Sequence, residues 1–368
     1  MRKVMTLAGP GHLTYQMNLS NALATRFERR GSRPDLDEAI AGLVKAVSTA
    51  AESHPPELPT AWATLSALVR LLVDRTGEDA AVDLAVRAGR LAADAVTPGQ
   101  PGRHRVLSNL AGSLSRLAQQ TGGLADFDEA VEAGREAVRC TPVGHQDAAQ
   151  TRANLAGLLC DRFDHGGGPD NLEEAIQIVQ DAAEGLDAAS PIMATTLAIL
   201  GRALTRRHER NGTEADLGRA VAALTAVAQN PTAAPSVRVR AARDAALLVG
   251  NRHPSAAASL LESAVSLVPR IASRHLGRRD QEFALRQVAG LATDAVALAL
   301  AAASAMGDPF PDPVHRSLGM LEAGRGVMLG QLLEAQGDLT TLQVQHPQAA
   351  YRLMELRDEL DRISMDGP

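Results

Sequence analysis

The sequence predicts an all-α solenoid built of helical hairpins, and three observations lead to that fold class. A Leu on one predicted helix is followed twenty positions later by an Ala on the next, and this pair occurs five times at intervals of 45 or 46 residues. Only 2% of the residues are aromatic while 31 are Gly, which suits helices packed through small side chains. A repeat of this size cannot bury its apolar stripe alone and must stack on its neighbours. The pairs are Leu19/Ala39, Leu65/Ala85, Leu110/Ala130, Leu155/Ala175 and Leu200/Ala220.

Each repeat is predicted to be one helical hairpin. In the third repeat an apolar stripe runs along one side of the first helix, and Thr121-Gly122-Gly123 ends it. Asp126 followed by Glu129 predicts a capping box at the start of the second helix. The second repeat departs from this pattern, and its second helix is expected to begin near Thr76 or Asp79. The stripe is Val106, Leu107, Leu110, Ala111, Leu114 and Leu117. The same start signal is predicted at Asp35 and Asn171, whereas Asp216 keeps the cap but has Arg219 in place of the acid.

The second helices carry small residues after the key Ala and then a breaker, as in Ala130, Gly134, Ala137 and Pro142. This pattern resembles the tetratricopeptide repeat, and the resemblance covers about Leu13 to Asn230. The period of 45 exceeds the usual length of about 34 residues, so the helices should be long. The resemblance implies a right-handed α-solenoid with a concave face.

After Pro231 the register weakens. Residues Ser236 to Gly250 and Ser255 to Ile271 still predict a hairpin, although no Leu lies twenty positions before Ala264. Further helices are predicted over Arg279 to Met306, Pro313 to Gln336 and Pro347 to Ile363. Leu291 to Met306 is interpreted as a buried helix that falls short of a membrane span. The predicted divisions are five repeats over 1–230, a degenerate hairpin and Ala-rich helix over 231–306, and a helical segment over 307–368.

A second resemblance lies at the carboxyl end. Glu322-Ala-Gly-Arg-Gly326 within Leu318 to Leu333, then Asp338-Leu-Thr and His346-Pro347, resembles the segment that precedes the caspase-like domain in CHAT proteins. Arg278-Arg-Asp-Gln-Glu282 is similar to that family too. The resemblance implies that the array positions or restrains such a domain. We expect the chain to be the repeat portion of a longer protein, and the alternative is a natural stand-alone form.

Charge and cysteine content narrow the partners. The net charge is −6, Lys3 and Lys45 are the only lysines, and no basic run tracks a phosphate backbone, so nucleic acid is not favoured. Cys140 and Cys160 form no CxxC motif, which predicts a reducing cytoplasm. The apolar stretch within residues 1–11 is too short for a signal peptide. No cofactor is predicted.

Catalytic and metal patterns are weak. Cys160 and His165 are close in sequence, but neighbouring repeats place Ser115 and Thr205 at the position of Cys160, which favours a structural role. His12, His54, His104 and His145 are assigned to separate inter-repeat loops, and no HxxxH or HExxH occurs, so no metal site is predicted. Gly166-Gly-Gly168 is interpreted as a turn. An enzyme is therefore the weakest hypothesis.

Two sets of polar residues are candidates for the binding face. Asn18, Asn109 and Asn154 each precede the repeat Leu, where an amide can donate to and accept from a peptide unit. The alternative is that they tie adjacent first helices together. Arg70, Arg116, Arg202 and Arg206 lie on the same predicted face and could hold a carboxylate, or could be solvated or paired with Asp161 or Glu209. A second column, Arg26, Arg162 and Arg207, is expected to pair with acids at the start of the next helix.

The favoured function is a non-catalytic scaffold that binds a protein or peptide on its concave face. The alternative is a small-molecule or signal-peptide sensor of the kind found among bacterial tetratricopeptide regulators. A closed pocket lined by Arg70, Arg116 and Arg202 would support the sensor, whereas an open groove would count against it.

Overall fold

The computed structural model describes residues 12–30, 33–51, 53, 55–187, 190–272, 276, 278–306, 313–326, 345–352 and 355–356. The chain forms two compact units, 1–325 and 326–368. In the second unit the described residues 347–352 and 355–356 are helical, and Arg352 pairs with Glu355 at 3.0 Å. Most of the predicted CHAT-like motif beyond Gly326 lies outside the described residues.

The first unit is a row of stacked helical hairpins, and its described residues contain no strand. This confirms the predicted all-α solenoid of tetratricopeptide-like hairpins. In the five predicted repeats the helices run to between 14 and 21 residues, as the long period requires. The first helices are α1 (His12–Arg30), α3 (Leu58–Thr76), α5 (Arg103–Thr121), α7 (Ala148–Asp164), α9 (Pro191–Asn211) and α11 (Pro235–Val249). The second helices are α2 (Arg33–Ala50), α4 (Val82–Ala95), α6 (Leu124–Cys140), α8 (Asp170–Ala183), α10 (Glu214–Gln229) and α12 (Pro254–Val265).

The repeated Ala is the point of closest approach within each hairpin. All five members of that column are at most 1% exposed. In the first two repeats a Ser of the first helix donates to the carbonyl of this Ala, Ser20 to Ala39 at 2.9 Å and Ser66 to Ala85 at 2.8 Å. A small residue on both helices therefore lets the two backbones meet.

The repeated Leu seals one hairpin against the preceding one. A Cβ placed on Gly134 would lie 3.2 Å from Cδ1 of Leu155, and one placed on Gly89 would lie 3.1 Å from Cδ1 of Leu110. Leu110 and Leu155 thus each fill a notch that glycine leaves on the second helix of the repeat before it. This contact buries the stripe that a single repeat could not cover.

The first helices form the inner face of the array. Consecutive first helices pack directly on one another, α3 on α5, α5 on α7 and α7 on α9. Consecutive second helices are bridged by long ion pairs, Arg90 to Glu129 at 2.6 Å and Arg135 to Glu174 at 2.7 Å. The first helices from α3 to α9 are therefore the more closely packed layer, and we call their side the inner face.

The predicted capping boxes are wrong. Asp35 and Asp126 lie inside the first turn of α2 and α6, and neither α6, α8 nor α10 has a side-chain cap. Two of the predicted caps bind a guanidinium instead: Asp35 accepts from Arg26 at 2.6 and 2.5 Å, and Asp216 accepts from Arg207 at 2.8 and 2.7 Å. Bonds to a charged donor are stronger than a cap to a backbone N–H.

Of the two starts predicted for the second helix of the second repeat, Thr76 and Asp79, the structure agrees with the one near Asp79. Thr76 is the last residue of α3, and a 3-10 turn over Asp79–Ala81 leads into α4. Gly77 takes a left-handed φ of 70° and ends α3.

The helices after α12 are shorter than predicted. They are α13 (Val268–Ile271), α14 (Arg278–Gln287), α15 (Leu291–Met306) and α16 (Pro313–Arg325). The predicted helix from Arg279 to Met306 is interrupted because Gly290 has a φ of 81°. The interpretation of α15 as a buried helix holds for one face only. It buries one stripe, Leu291, Ala295, Ala299 and Ala302, and leaves Leu300 43% exposed.

One segment, Asp280–Ser304, is long and apolar enough to cross a membrane by length and composition alone. It includes the break at Gly290, so its two halves belong to different helices. The first half, α14, packs on α3, where Phe283 lies against Gly77.

Candidate functional site: a groove on the inner face

A cavity of about 310 Å³ lies on the inner face between α7, α9 and α11. Its apolar lining includes Ala198, Ile199 and Val237. Four charged side chains line the same recess: Asp161, Arg202, Arg240 and Asp244. We call this recess the inner groove.

Arg202 and Asp161 form a fixed part of the inner groove. Arg202 donates to the carbonyl oxygen of Gly157 at 2.8 Å and pairs with Asp161 at 2.8 Å. Asp161 also accepts a hydrogen bond from Ser115 at 3.0 Å. The Asp161 carboxylate therefore joins α5, α7 and α9, and its charge is already balanced.

The other predicted arginines are likewise engaged by acids of the chain. Arg116 binds Asp79 at 2.7 Å, and Arg206 binds Asp164 at 2.8 Å and Glu209 at 3.0 Å. Arg70 binds Asp74 at 3.2 Å, and its guanidinium lies over Gly112. The predicted pairing with Asp161 and Glu209 is present at Arg202 and Arg206. These arginines therefore stabilise the inner face, and their charges are already neutralised by acids of the chain.

The predicted Asn column is only partly available. Asn154 donates to the hydroxyl of Ser108 at 2.9 Å and accepts from Gln150 at 2.8 Å, so it ties α7 to α5. Asn18 is exposed and Asn109 is half-buried, and neither has a hydrogen bond to another described side chain or backbone group. The alternative interpretation, that these Asn side chains link adjacent first helices, therefore holds at one of the three positions.

Sequence reasoning missed the two charged residues that are free in the inner groove. The interval of 45 that leads from Asn109 to Asn154 and Ile199 leads next to Asp244 on α11. The same count places Ala245 in the Leu column and Val265 in the Ala column, and these side chains are 0% and 2% exposed. The prediction placed Ala264 in the Ala column in place of Val265, and that slip of one residue left Asp244 out of the column of Asn109 and Asn154.

Asp244 and Arg240 carry opposite charges four residues apart on α11. Both are exposed to solvent in the groove, and neither forms a hydrogen bond or ion pair with any residue in the described part of the chain. The surrounding walls desolvate the carboxylate and raise the pKa of Asp244, while Arg240, Arg206, Arg243 and Arg202 act in the opposite direction. Arg240 can hold a carboxylate, and Asp244 can accept from an ammonium, a guanidinium or a backbone N–H.

The second arginine column differs from expectation at one position. Arg26 and Arg207 pair with acids at the start of the next helix. Arg162 instead pairs with Asp128 on α6 at 2.6 Å, so that prediction is wrong. The reason is that the start of α6 in the preceding hairpin lies beside the end of α7.

The surroundings of Cys160 favour the structural interpretation. Its side chain is fully buried, and burial raises the pKa of the thiol against the opposing influence of Arg202. His165 is exposed and stacks on Phe127 with ring centroids 4.3 Å apart. A protonated, inaccessible sulfur is a poor nucleophile.

A second, larger cavity of about 470 Å³ lies between α10, α11 and α12. Its lining is mainly apolar, with Val221, Val249 and Leu260 among it. The one Arg in that lining, Arg238, already donates to the carbonyl of Ala228 at 2.9 Å and so covers the end of α10. Of these two cavities, the inner groove is the one whose described lining holds the unpaired charges Arg240 and Asp244.

Together these features define a helical-repeat protein with a charged groove on its inner face. No family model matches the chain, and no curated protein matches it. Among solved structures, the TPR-like repeats of a putative kinesin light chain from Podosopora anserina are 17% identical, with 60% of this chain and 98% of that chain covered and a TM-score of 0.41. The assembly chaperone of RpL4, Acl4, is 15% identical over 86% and 99% of the chains, with a TM-score of 0.37.

A third similar structure is Nro1, described as a nuclear import adaptor and hypoxic regulator of sterol synthesis. It is 13% identical over 94% of both chains, with a TM-score of 0.32. At these identities and TM-scores the likeness carries no information about ligands. The fold class and the site rest on the helices and side chains described above.

Proposed function

We propose that this chain is a non-catalytic scaffold that binds an extended segment of a protein or peptide in the inner groove. The observation that supports this is the pair Arg240 and Asp244, whose charges are free while Arg70, Arg116, Arg202 and Arg206 are all paired within the chain. A free cation and a free anion beside an apolar lining match a peptide, which offers side chains, carbonyls and N–H groups together.

The openness of the groove favours a peptide over an enclosed small molecule. The cavity that contains Arg202 includes neither Arg70 nor Arg116. The closed pocket of three arginines that a small-molecule sensor would use is therefore not formed by these residues. Three consecutive first helices line the groove instead, which leaves it open along the direction in which an extended chain would lie.

Selection from a peptide library on the purified chain tests the proposal. Enriched peptides should bind Arg240→Ala or Asp244→Ala at least about tenfold more weakly, because a hydrogen bond to a charged group contributes about 1.5–3 kcal/mol. The matched controls are Asp83→Ala and Arg87→Ala, an exposed pair with the same spacing on the outer helix α4. Equal binding by the groove variants, or equal loss in the controls, would contradict the proposal.

The CHAT-like motifs extend the proposal to a longer protein. In that setting the array would position or restrain a caspase-like domain, with ligand in the inner groove as the signal. A coding sequence that continues past Pro368 without a His and Cys dyad would remove this part. We further propose that the protein resides in the cytoplasm, because Cys140 and Cys160 are both free thiols and the thiol of Cys160 is buried.

A further inference from the structure

His104 and His145 meet in space although they belong to different repeats. The sequence assigns both to separate inter-repeat loops, which is wrong for His104, because it lies in the first turn of α5 and is buried. His145 lies in the loop before α7, two residues ahead of Asp147. Nε2 of His104 is 3.1 Å from Oδ2 of Asp147, and Nδ1 of His145 is 3.9 Å from the same oxygen. One ligand atom from each of the three residues lies within 4.8 Å of the others.

This cluster does not follow the repeat. Counting 45 residues in either direction from His104 gives Pro59 and Ala149, and from Asp147 gives Gly102 and Ile192. The neighbouring junctions therefore close without these groups. Within the part of the chain that the structure describes, such a set of three residues occurs at one junction only, so it is not required for stacking. This distinguishes it from the arginine pairs that join other repeats.

We propose that His104, His145 and Asp147 form a site for a divalent transition metal, with Zn²⁺ as the preferred ion. Zinc takes imidazole nitrogen and carboxylate oxygen at about 2.0–2.2 Å in tetrahedral geometry, which places neighbouring ligand atoms about 3.3 Å apart. The separations of 3.1 and 3.9 Å are close to that value. Three protein ligands leave the fourth position to water or to a ligand from another molecule.

A guanidinium now occupies the carboxylate. Arg105 donates from Nε to Oδ2 of Asp147 at 2.5 Å. Arg105 is 61% exposed and can turn into solvent when the metal takes this oxygen. The backbone N–H of Asp147 now donates to Nδ1 of His145 at 3.1 Å, and metal binding replaces that bond as well. Since the ion displaces existing bonds, we expect affinity in about the micromolar range.

The bound ion would join two repeats at one edge of the array. It would fix the loop before α7 to the first turn of α5, which is a cross-link between the third and fourth hairpins. Such a link limits the change in pitch between α5 and α7. The site is separate from Arg240 and Asp244, so its test does not depend on the proposed peptide function.

Calorimetric titration of the chelator-treated, tag-free chain with ZnCl₂ tests the site. We expect one equivalent of Zn²⁺ per chain and, with Co²⁺ in its place, the visible absorption of a tetrahedral centre. His104→Gln and His145→Gln should each weaken binding by at least the roughly 10- to 100-fold that even outer-shell changes cause. His253→Gln, an exposed histidine before α12, is the matched control and should bind as wild type.

Two further variants keep the result interpretable. If His104→Gln does not fold, as judged by circular dichroism, His145→Gln on the loop decides the outcome. Arg105→Ala should bind Zn²⁺ more tightly, because it frees Oδ2 of Asp147, and weaker binding there would count against that oxygen as a ligand. Zinc binding only at millimolar concentrations, or binding that both histidine variants retain, would overturn the proposal.

Discussion

A methyl group added to either of two glycines in the fifth repeat should change stability in opposite directions. On α9, a Cβ at Gly201 would lie 2.5 Å from Cγ and 2.7 Å from Cδ2 of Leu224. On α10, a Cβ at Gly218 meets no atom within 4 Å. The two sites are one on each helix of the same hairpin, so they form a matched pair.

The magnitudes follow from two competing effects. Replacing a helical Gly by Ala stabilises the helix by about 0.5–1 kcal/mol, because fewer unfolded conformations are lost on folding. At Gly201 this gain is opposed by overpacking, which costs about 1–3 kcal/mol in a filled core. The clash involves the branch point of Leu224, which cannot swing aside without moving the whole side chain. We expect Gly201→Ala to lose about 0.5–2 kcal/mol and Gly218→Ala to gain about 0.5–1 kcal/mol.

Urea unfolding followed by circular dichroism measures both changes. Because each repeat is coupled to its neighbours, the midpoints are compared between variants with equal slopes. The double variant Gly201→Ala/Leu224→Val should recover part of the loss, with a coupling of about 0.5 kcal/mol or more, since the residues are in contact. Shifts of the same sign for Gly201→Ala and Gly218→Ala, or strictly additive effects with Leu224→Val, would refute the reasoning.

Three other outcomes can be measured on the same protein. Asp216→Asn should lower the free energy of unfolding by about 1–3 kcal/mol at pH 7. Because the bonded arginine lowers the pKa of Asp216, the stabilisation by this carboxylate is lost as the pH falls through that lowered value, and the difference from wild type should close below about pH 4. A difference that stays constant down to pH 3 would argue against this account. A thiol reagent should label one cysteine of the native chain quickly, and Cys140→Ser should remove this fast phase because Cys160 is buried. Fast labelling that persists in Cys140→Ser would contradict the burial of Cys160. Asn154→Ala should weaken binding of a selected peptide less than Asp244→Ala in the same titration, because its amide is already bonded; the reverse order would favour the Asn column as the contact.

The hairpins could be predicted because the periodic pattern reports local packing. A column such as Ala85, Ala130 and Ala175 is small in every repeat because two backbones meet there in every repeat, so spacing alone locates it. The capping boxes failed for the opposite reason. At Asp35 and Asp216 two uses of the carboxylate competed, and the choice depended on whether a guanidinium from the preceding helix came within reach.

The sequence predicted which side of the helices carries the candidate site, but not which residues form it. The columns that contain Asn109, Asn154 and Arg202 were assigned to the inner side, and the structure places them along first helices that line it. Which of those groups is free was not predictable, because Arg116, Arg202 and Arg206 each bind an acid that another helix or turn brings within reach. Asp79 and Asp164, which bind Arg116 and Arg206, lie 37 and 42 residues away from them. Asp244 was within reach of the same count, had the register been carried one repeat further.

The sequence by itself determined the class of this protein: paired helices, repeated at an interval of 45 or 46 residues, with small residues where helices touch. Those properties depend on neighbours close in the chain and are repeated many times, so they leave a statistical trace. The tertiary structure alone decided which charges neutralise one another, which two remain free in the inner groove, and that His104 and His145 lie beside one carboxylate. These depend on the relative placement of separate hairpins to within an ångström or two, because hydrogen bonds and coordination bonds vanish over that distance.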